Sequence, residues 1–315
     1  MSEASRTVFL VAGPTASGKS ALALDVARAF DGAVINADSM QVYRDLSVLT
    51  ARPGPEACRA VPHLLYGTLG AEERCSAARW RGMALEAIET TRSEGRVPVV
   101  AGGTGLYLKA LMEGLSPMPN IPDAVRADVR ARLAAEGAAA LHRALQGADP
   151  ETAARVPPSD SQRIARALEV VEATGRPLSQ WQAVAPEGPP EGLVFRVIAL
   201  LPPREALYAA CDARFGQMLK AGALAEVAAL MARGLDPTLP AMKALGVSAL
   251  AAHLDGALTL DEAAAQARTL TRRYAKRQLT WLRHQIIADM AINAQYSESL
   301  GPGVFAFVRE NLLTG

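Results

Sequence analysis

The sequence predicts an α/β protein with a parallel sheet, interrupted by a helical insertion. Three observations carry that prediction. A short apolar run, Val8–Ala12, feeds a glycine-rich turn and then a helical segment, Ala21–Phe30. Further apolar runs then alternate with helical periodicity, the pattern of strands buried on both faces and joined by crossover helices. Finally the pattern turns wholly helical from Ala124 to about Gln182, and a buried strand returns at Phe195–Leu201. A lone strand cannot make a sheet, so it rejoins the first one.

The elements follow in order. Gly32-Ala-Val-Ile-Asn36 reads as the second strand, His63–Leu69 as a weaker third, and Val97-Pro-Val-Val-Ala101 as the fourth, preceded by a helix over Arg79–Ser93. Pro117, Pro119 and Pro122 mark a linker, and Gly188-Pro-Pro190 marks a second. Pro202-Pro203 ends the returning strand. The remainder is mostly helical, including a long helix from Asp261 to about His284. These boundaries divide the chain into a first part of the core at 1–119, an insertion at 120–189, and a second part of the core with basic C-terminal helices at 190–315. No internal repeat or low-complexity tract interrupts the pattern.

Lys and Arg number 33 against 32 Asp and Glu, so no global field draws the chain to nucleic acid or membrane, although a local patch is compatible with that balance. Cys58, Cys75 and Cys211 have no paired spacing, and the four histidines are scattered, which excludes a zinc pattern and suits a reducing compartment. The apolar run at 8–12 is too short for a signal sequence or a membrane span. The expectation is a soluble, cytoplasmic, monomeric protein with no membrane association.

Gly13-Pro-Thr15-Ala16-Ser17-Gly18-Lys19-Ser20 fits the P-loop pattern in its proper context, after a strand and at a helix start. Such a turn aims several backbone N–H groups at one point. Lys19 adds a positive charge, and the Ser20 hydroxyl can hold Mg²⁺. The motif predicts a P-loop NTPase-like core that binds a di- or triphosphate, ATP included, without saying which. Asn36-Ala-Asp38-Ser39-Met40-Gln41 follows the second strand. Ligands sit beyond the C-terminal ends of strands in open α/β sheets, so Asp38 shares the P-loop crevice. There it either binds Mg²⁺ through water, accepts a proton, or caps the next turn. Ala101-Gly102-Gly103-Thr104-Gly105 occupies the matching place after the fourth strand, where glycines allow close backbone approach and Thr104 can donate a hydrogen bond. No Asp stands at that strand end, which argues against a motor-type ATPase or a GTPase.

Two helical segments carry charge. In the insertion, Asp160 or Ser161 caps a helix that places Ile164 and Leu168 on its apolar face and Gln162, Arg163 and Arg166 elsewhere. The long C-terminal helix has no acidic residue between 268 and 284. Its spacings of four, Arg268, Arg272, Lys276 and Arg273, Arg277, put charge along one broad side, either for a nucleic-acid backbone or for acids elsewhere in the fold. Arg214 lies on a helix after the returning strand and either faces the phosphates or pairs with a surface acid such as Asp212. Trp80 and Trp181 read as packing residues.

Together these stretches resemble the tRNA dimethylallyltransferase, or tRNA isopentenyltransferase, family. The matches are GPTASGKS (13–20), NADSMQVYRDL (36–46), TARP (50–53), AGGTGLYLKALMEGL (101–115), DSQRIARALEV (160–170), DARFGQML (212–219) and TRRYAKRQLTWLR (271–283), in family order. The resemblance implies transfer of a dimethylallyl group from dimethylallyl diphosphate to N6 of the adenosine immediately 3′ of the anticodon, in tRNAs reading U-starting codons, with Mg²⁺. It implies Asp38 as general base, Thr104 near the diphosphate and target base, and Arg214 in diphosphate handling. The diphosphate falls to Gly13 and Thr15 through Ser20, and the extruded adenine to Ser39, Met40 and Gln41. The anticodon stem-loop falls to Arg126, Gln162, Arg163, Ile164, Ala165, Arg166, Arg272, Lys276 and Arg277. The chain departs from the family pattern at Arg52, where a lysine is usual, at Leu245-Gly-Val-Ser248, and in keeping only His63 of a histidine pair. A small-metabolite kinase shares the P-loop, the Asp after the second strand and the glycine turn, and is the alternative. A non-catalytic RNA-binding module leaves the P-loop and Asp38 unexplained.

Overall fold

The computed structural model describes residues 6–313. In chain order the elements are β1 (Thr7–Ala12), α1 (Lys19–Ala29), β2 (Gly32–Asn36), α2 (Pro55–Ala60), β3 (His63–Leu64), α3 (Ala77–Ser93), β4 (Val97–Gly102) and α4 (Gly105–Glu113). Five helices follow, α5 (Asp123–Glu136), α6 (Ala138–Ala148), α7 (Pro150–Arg155), α8 (Ser161–Thr174) and α9 (Leu178–Gln182). The chain closes with β5 (Val194–Leu200), α10 (Arg204–Lys220), α11 (Ala223–Ala232), α12 (Val247–Leu254), α13 (Leu260–Gln285), β6 (Met290–Ile292) and α14 (Gly301–Leu313). Two compact units result, Met1–Met112 with Pro190–Gly315, and Glu113–Pro189.

The first unit holds a six-stranded sheet in the order β3-β2-β4-β1-β5-β6, every pairing parallel. β1 lies between β4 and β5, with Leu10 opposite Val100 on one side and Val197 on the other. Its six residues are all buried because helices cover both faces. Strand alternation sorts them. Val8, Leu10 and Ala12 join Ile35, Val100 and Val197 under α3, α4 and α11 to α13. Phe9 and Val11 face the other way, with Val34, Val99 and Ile198, against α1 and α14.

The third strand is shorter than its apolar run suggests. His63–Leu64 pairs with β2, but Leu65 and Gly67 adopt φ of 63° and 61°, which breaks the extended chain, and only an isolated bridge from Leu69 to Tyr43 continues it. The edge strand β6 is three residues long and lies in a segment with no strand-like run of its own. It pairs with β5, and the adjoining Asp289 carboxylate accepts a hydrogen bond from the Val197 N–H at 2.7 Å.

The long helix α13 starts at a capping box. The Thr259 hydroxyl accepts from the Glu262 N–H, and the Glu262 carboxylate accepts from the Thr259 N–H at 2.8 Å. Trp80, fully buried, donates from Nε1 to the Asn36 carbonyl at 2.8 Å and stacks on Tyr107 at 4.4 Å, fixing α3 and α4 beside the end of β2.

The second unit packs its five helices around Ile121, Val129, Leu141, Leu145, Ile164 and Leu168. Asp149 caps α7 through the Thr152 N–H and accepts both the Ser179 N–H and hydroxyl, which ties α9 to that cap. Arg176 lies 4.7 Å over the Trp181 ring, so Trp181 is a packing residue of this unit.

Candidate active site

Parallel strands end on the same edge of the sheet, so the turns after β1, β2 and β4 meet there. The Gly13 N–H donates to the Gly102 carbonyl at 3.4 Å, the Ala37 N–H to Ala101 at 2.8 Å, and the Thr104 N–H to Ala37 at 3.3 Å. The fit is tight at Gly103. A Cβ there would stand 2.7 Å from the Gly13 carbonyl oxygen and 2.4 Å from the Gln278 amide nitrogen.

The P-loop is built to leave donors open. Gly18 is the N-cap of α1 with φ 87°, and having no side chain it caps nothing, so the first-turn amides of α1 lack an intrahelical acceptor. Ser17 is fully buried, and its hydroxyl has no hydrogen-bond partner among the described residues. A buried hydroxyl in that state is costly unless a ligand completes it, and an anion in the loop does so. Lys19 is 9% exposed and, among the described residues, donates to the Pro14 carbonyl alone, at 3.3 Å. Burial lowers its ammonium to about 8, with the Asp38 carboxylate opposing and the Arg214 guanidinium adding to the shift.

Asp38 is held by its own turn. The Asn36 carboxamide accepts the Asp38 N–H at 2.8 Å, and Asp38 Oδ1 accepts the Met40 N–H at 2.9 Å and the Gln41 N–H at 3.4 Å. Oδ2 accepts no hydrogen bond from the described residues. Thr104 Oγ1 accepts the Ser39 N–H at 2.9 Å and donates to the Ser39 hydroxyl at 3.3 Å. Burial, then the Asp38 charge, pushes the Tyr274 phenol up to about 12, so it stays neutral.

Arg214 projects from α10. It donates to the Thr15 hydroxyl and to the Thr50 carbonyl, both at 3.1 Å, while its Nε is buried without a partner. Burial lowers this guanidinium, which remains a cation at any physiological pH. Asp212 pairs instead with Arg272, at 2.7 and 2.8 Å. The sequence left Arg214 open between the phosphates and Asp212, and the structure turns it to the P-loop.

Lys19, Ser20, Asp38, Met40 and Arg214 line one cavity of about 270 Å³. Tyr274, Lys243, Leu49 and Thr50 also line it, and sequence reasoning assigned none of these four a role. Gln278, also missed, is the joint behind the site. Its carbonyl accepts the Thr15 N–H at 2.9 Å, and its amide donates to Gly103 at 2.7 Å, fixing the P-loop to the β4 turn. Gln41 uses its amide nitrogen on the Thr50 and Ala51 carbonyls, at 2.8 and 3.1 Å. Arg52 donates to the Tyr43 and Arg44 carbonyls, which a lysine meets with a single ammonium rather than a planar fork.

Three residues expected at the RNA have their side chains engaged within the protein. Ile164 is 0% and Ala165 7% exposed, so their side chains belong to the core of the second unit. Arg272 is committed to Asp212 on α10. Gln162 and Arg163 are exposed and Arg166 half-buried. Arg126 is half-buried, donating to the Ile121 carbonyl at 3.3 Å. On α13 the exposed basic face is Arg273, Lys276 and Arg277, which line a groove with Thr280, Trp281 and His284. Arg277 also borders the P-loop cavity.

A family model described as IPP transferase matches residues 41–285, and one described as isopentenyl transferase matches residues 6–65. A protein named tRNA dimethylallyltransferase from Rhodospirillum centenum is 58% identical over 285 residues, 90% of this chain and 91% of its own. The crystal structure of the full-length tRNA isopentenylpyrophosphate transferase from Bacillus halodurans superposes with a TM-score of 0.70 at 30% identity, covering 98% of this chain and 97% of that one. A eukaryotic dimethylallyltransferase, solved acting on tRNA, superposes with a TM-score of 0.79 at 25% identity, covering 98% and 80%.

Proposed function

This chain belongs to the IPP transferase family, the tRNA dimethylallyltransferases, and we propose from that premise that it transfers a dimethylallyl group from dimethylallyl diphosphate to N6 of the adenosine immediately 3′ of the anticodon in tRNAs reading U-starting codons. The observation that carries the reading is the shared cavity. A phosphate-binding loop with a buried lysine and a carboxylate with a free oxygen line the same space, so a leaving diphosphate and a proton acceptor flank one reaction centre.

The chemistry follows from those positions. The adenine N6 lone pair attacks C1 of the donor as the C1–O bond breaks, and its electron pair leaves with the diphosphate. The negative charge that grows there meets the α1 amides, the Ser17 hydroxyl, Lys19 and Arg214, which are already oriented when it appears. The N6 proton passes to Asp38 Oδ2, the oxygen that its own turn leaves free. Thr104 holds the Ser39 turn in place. An adenine stacked in a helix cannot reach this cavity, so the base is extruded against Ser39, Met40 and Gln41.

The donor set fits Mg²⁺. The Ser20 hydroxyl is exposed and would hold the ion beside the diphosphate, while no trio of His, Cys, Asp or Glu gathers among the described residues. Bound there, it would supply further charge neutralisation on the leaving group. In the second unit the residues offered to the stem-loop are Arg126, Gln162, Arg163 and Arg166; in the first, taken by itself, they are Arg273, Lys276 and Arg277. The enzyme acts as a monomer in the cytoplasm, and no helix among the described residues is long and apolar enough to cross a membrane.

The test is to mix protein, Mg²⁺, labelled dimethylallyl diphosphate and unmodified tRNA. Label is expected in tRNA at the adenosine following the anticodon. No transfer, together with ATP-dependent phosphorylation of a small metabolite, returns the kinase reading.

A further inference from the structure

Beside the P-loop cavity lies a second, small one of about 40 Å³, bordered by Cys211, Phe215 and Met218 of α10. The two cavities share four wall residues, Thr15, Leu49, Arg214 and Leu245. Thr15 and Arg214 are tied to each other and to the phosphate loop. Leu49 and Leu245 are the apolar part of the partition. Leu49 is 7% exposed, and its N–H is fixed on the Glu226 carboxylate at 2.9 Å, so the side chain stands on an anchored turn.

A prenyl diphosphate has one charged end and one apolar end. In the larger cavity the charged end is committed to Lys19, Ser20 and Arg214. The apolar lining is Met40, Leu49, Ala244, Leu245 and Tyr274. We propose that Leu49 and Leu245 set the length of prenyl chain this enzyme accepts, and that cutting either back joins the two cavities and admits a ten-carbon donor. The inference rests on the prenyl-transfer reading above. The void beyond the wall is too small for five further carbons, and Leu49 is buried on its anchored turn. The chemistry is unchanged. The C1–O bond breaks with its electron pair on diphosphate, the C1–N6 bond forms, and the N6 proton goes to Asp38.

The experiment uses the full chain, Mg²⁺, unmodified tRNA, and dimethylallyl and geranyl diphosphate in competition, with the two modified nucleosides separated by mass. The wild type is expected to favour the five-carbon donor by at least about 100-fold in kcat/KM, as apolar pockets discriminate by that order when a chain overfills them. Leu49→Ala and Leu245→Ala are expected to shift the ratio toward geranyl by about tenfold or more, and Met40→Ala, which borders only the larger cavity, by less than about threefold. Adding Cys211→Leu to Leu49→Ala refills the small void and returns the ratio toward wild type. Where an alanine variant fails to fold, Leu49→Val and Leu245→Val carry the same test with a smaller expected shift. An unchanged ratio in folded variants that still transfer dimethylallyl overturns the inference, as does an equal shift in Met40→Ala or a wild type indifferent to chain length. Absence of dimethylallyl transfer by the wild type overturns instead the reading beneath it.

Discussion

Lys19 titrates where an ordinary lysine does not, and this makes donor binding pH-dependent in a predictable direction. Its ammonium falls from 10.5 to about 8 because the loop buries it. At 1.36 kcal/mol per pH unit, the unliganded site costs the charged form about 3 kcal/mol. A bound diphosphate restores the charge, so binding takes up a proton once the free lysine is neutral. Half the free sites are charged at pH 8 and about one in ten at pH 9, so the Kd for dimethylallyl diphosphate rises about fivefold between those values. The donor itself is fully ionised by then, its last phosphate proton leaving near pH 6.

Calorimetric titration without tRNA, where no turnover occurs, measures both the Kd and the proton uptake from the buffer dependence of the heat. Asp38 raises this lysine and Arg214 lowers it, so Asp38→Asn moves the break to lower pH and Arg214→Gln to higher pH. Folding stability responds with the opposite sign. Between pH 8 and 10.5 the unfolded chain holds the proton that the folded site has lost, so this group's contribution to the stability of the unliganded protein grows with pH across that window. The difference between wild type and Lys19→Met isolates it. A wild-type Kd flat from pH 7.5 to 9.5, or a Lys19→Met variant with the same slope, refutes the reasoning.

Asp38→Asn is expected to lower kcat by about 10²- to 10⁴-fold while donor Kd changes little at pH 7, and near-normal turnover removes Asp38 as the base. Glu226 accepts from the Ser47 N–H and hydroxyl and from the Val48 and Leu49 N–H groups, shaping the turn that carries Thr50 to Arg214. Glu226→Ala is expected to cost about 2 kcal/mol and to raise the donor KM, and an unchanged melting temperature contradicts that. Arg273→Ala and Lys276→Ala should each lower the salt slope of tRNA binding by about 1, whereas Arg272→Ala should lower thermal stability and leave the slope alone. A slope that falls for Arg272→Ala and not for the other two reverses the assignment of the outer face of α13.

The sheet was legible because its strands announce themselves one at a time. Val8–Ala12 and Val97–Ala101 are apolar throughout, as strands covered on both faces must be, and glycine turns follow both. β6 gave no such signal. Three residues at an edge owe their extended form to pairing with β5, an interaction that local composition does not encode. The site divides the same way. Groups that approach a ligand along the backbone, Gly13 to Ser20 and Asp38, sit in short contiguous motifs. Two that complete it, Lys243 and Tyr274, arrive from segments far along the chain and become neighbours only after folding.

On α13 the charge pattern alone misleads. Spacing of four groups Arg268, Arg272 and Lys276, but the buried face runs through Ala275, Gln278, Leu279 and Leu282, and this turns Arg272 toward Asp212 and Lys276 outward. Gln278 carried a readable signal, a carboxamide within an apolar stripe at i, i+3, i+4 and i+7. A buried amide there must find a donor and an acceptor, and the two it finds are the Thr15 N–H and the Gly103 carbonyl. One side chain of the basic helix thus fixes the two glycine turns against each other. The helix that carries exposed charge on its outer face sets the geometry of the phosphate loop on its inner one.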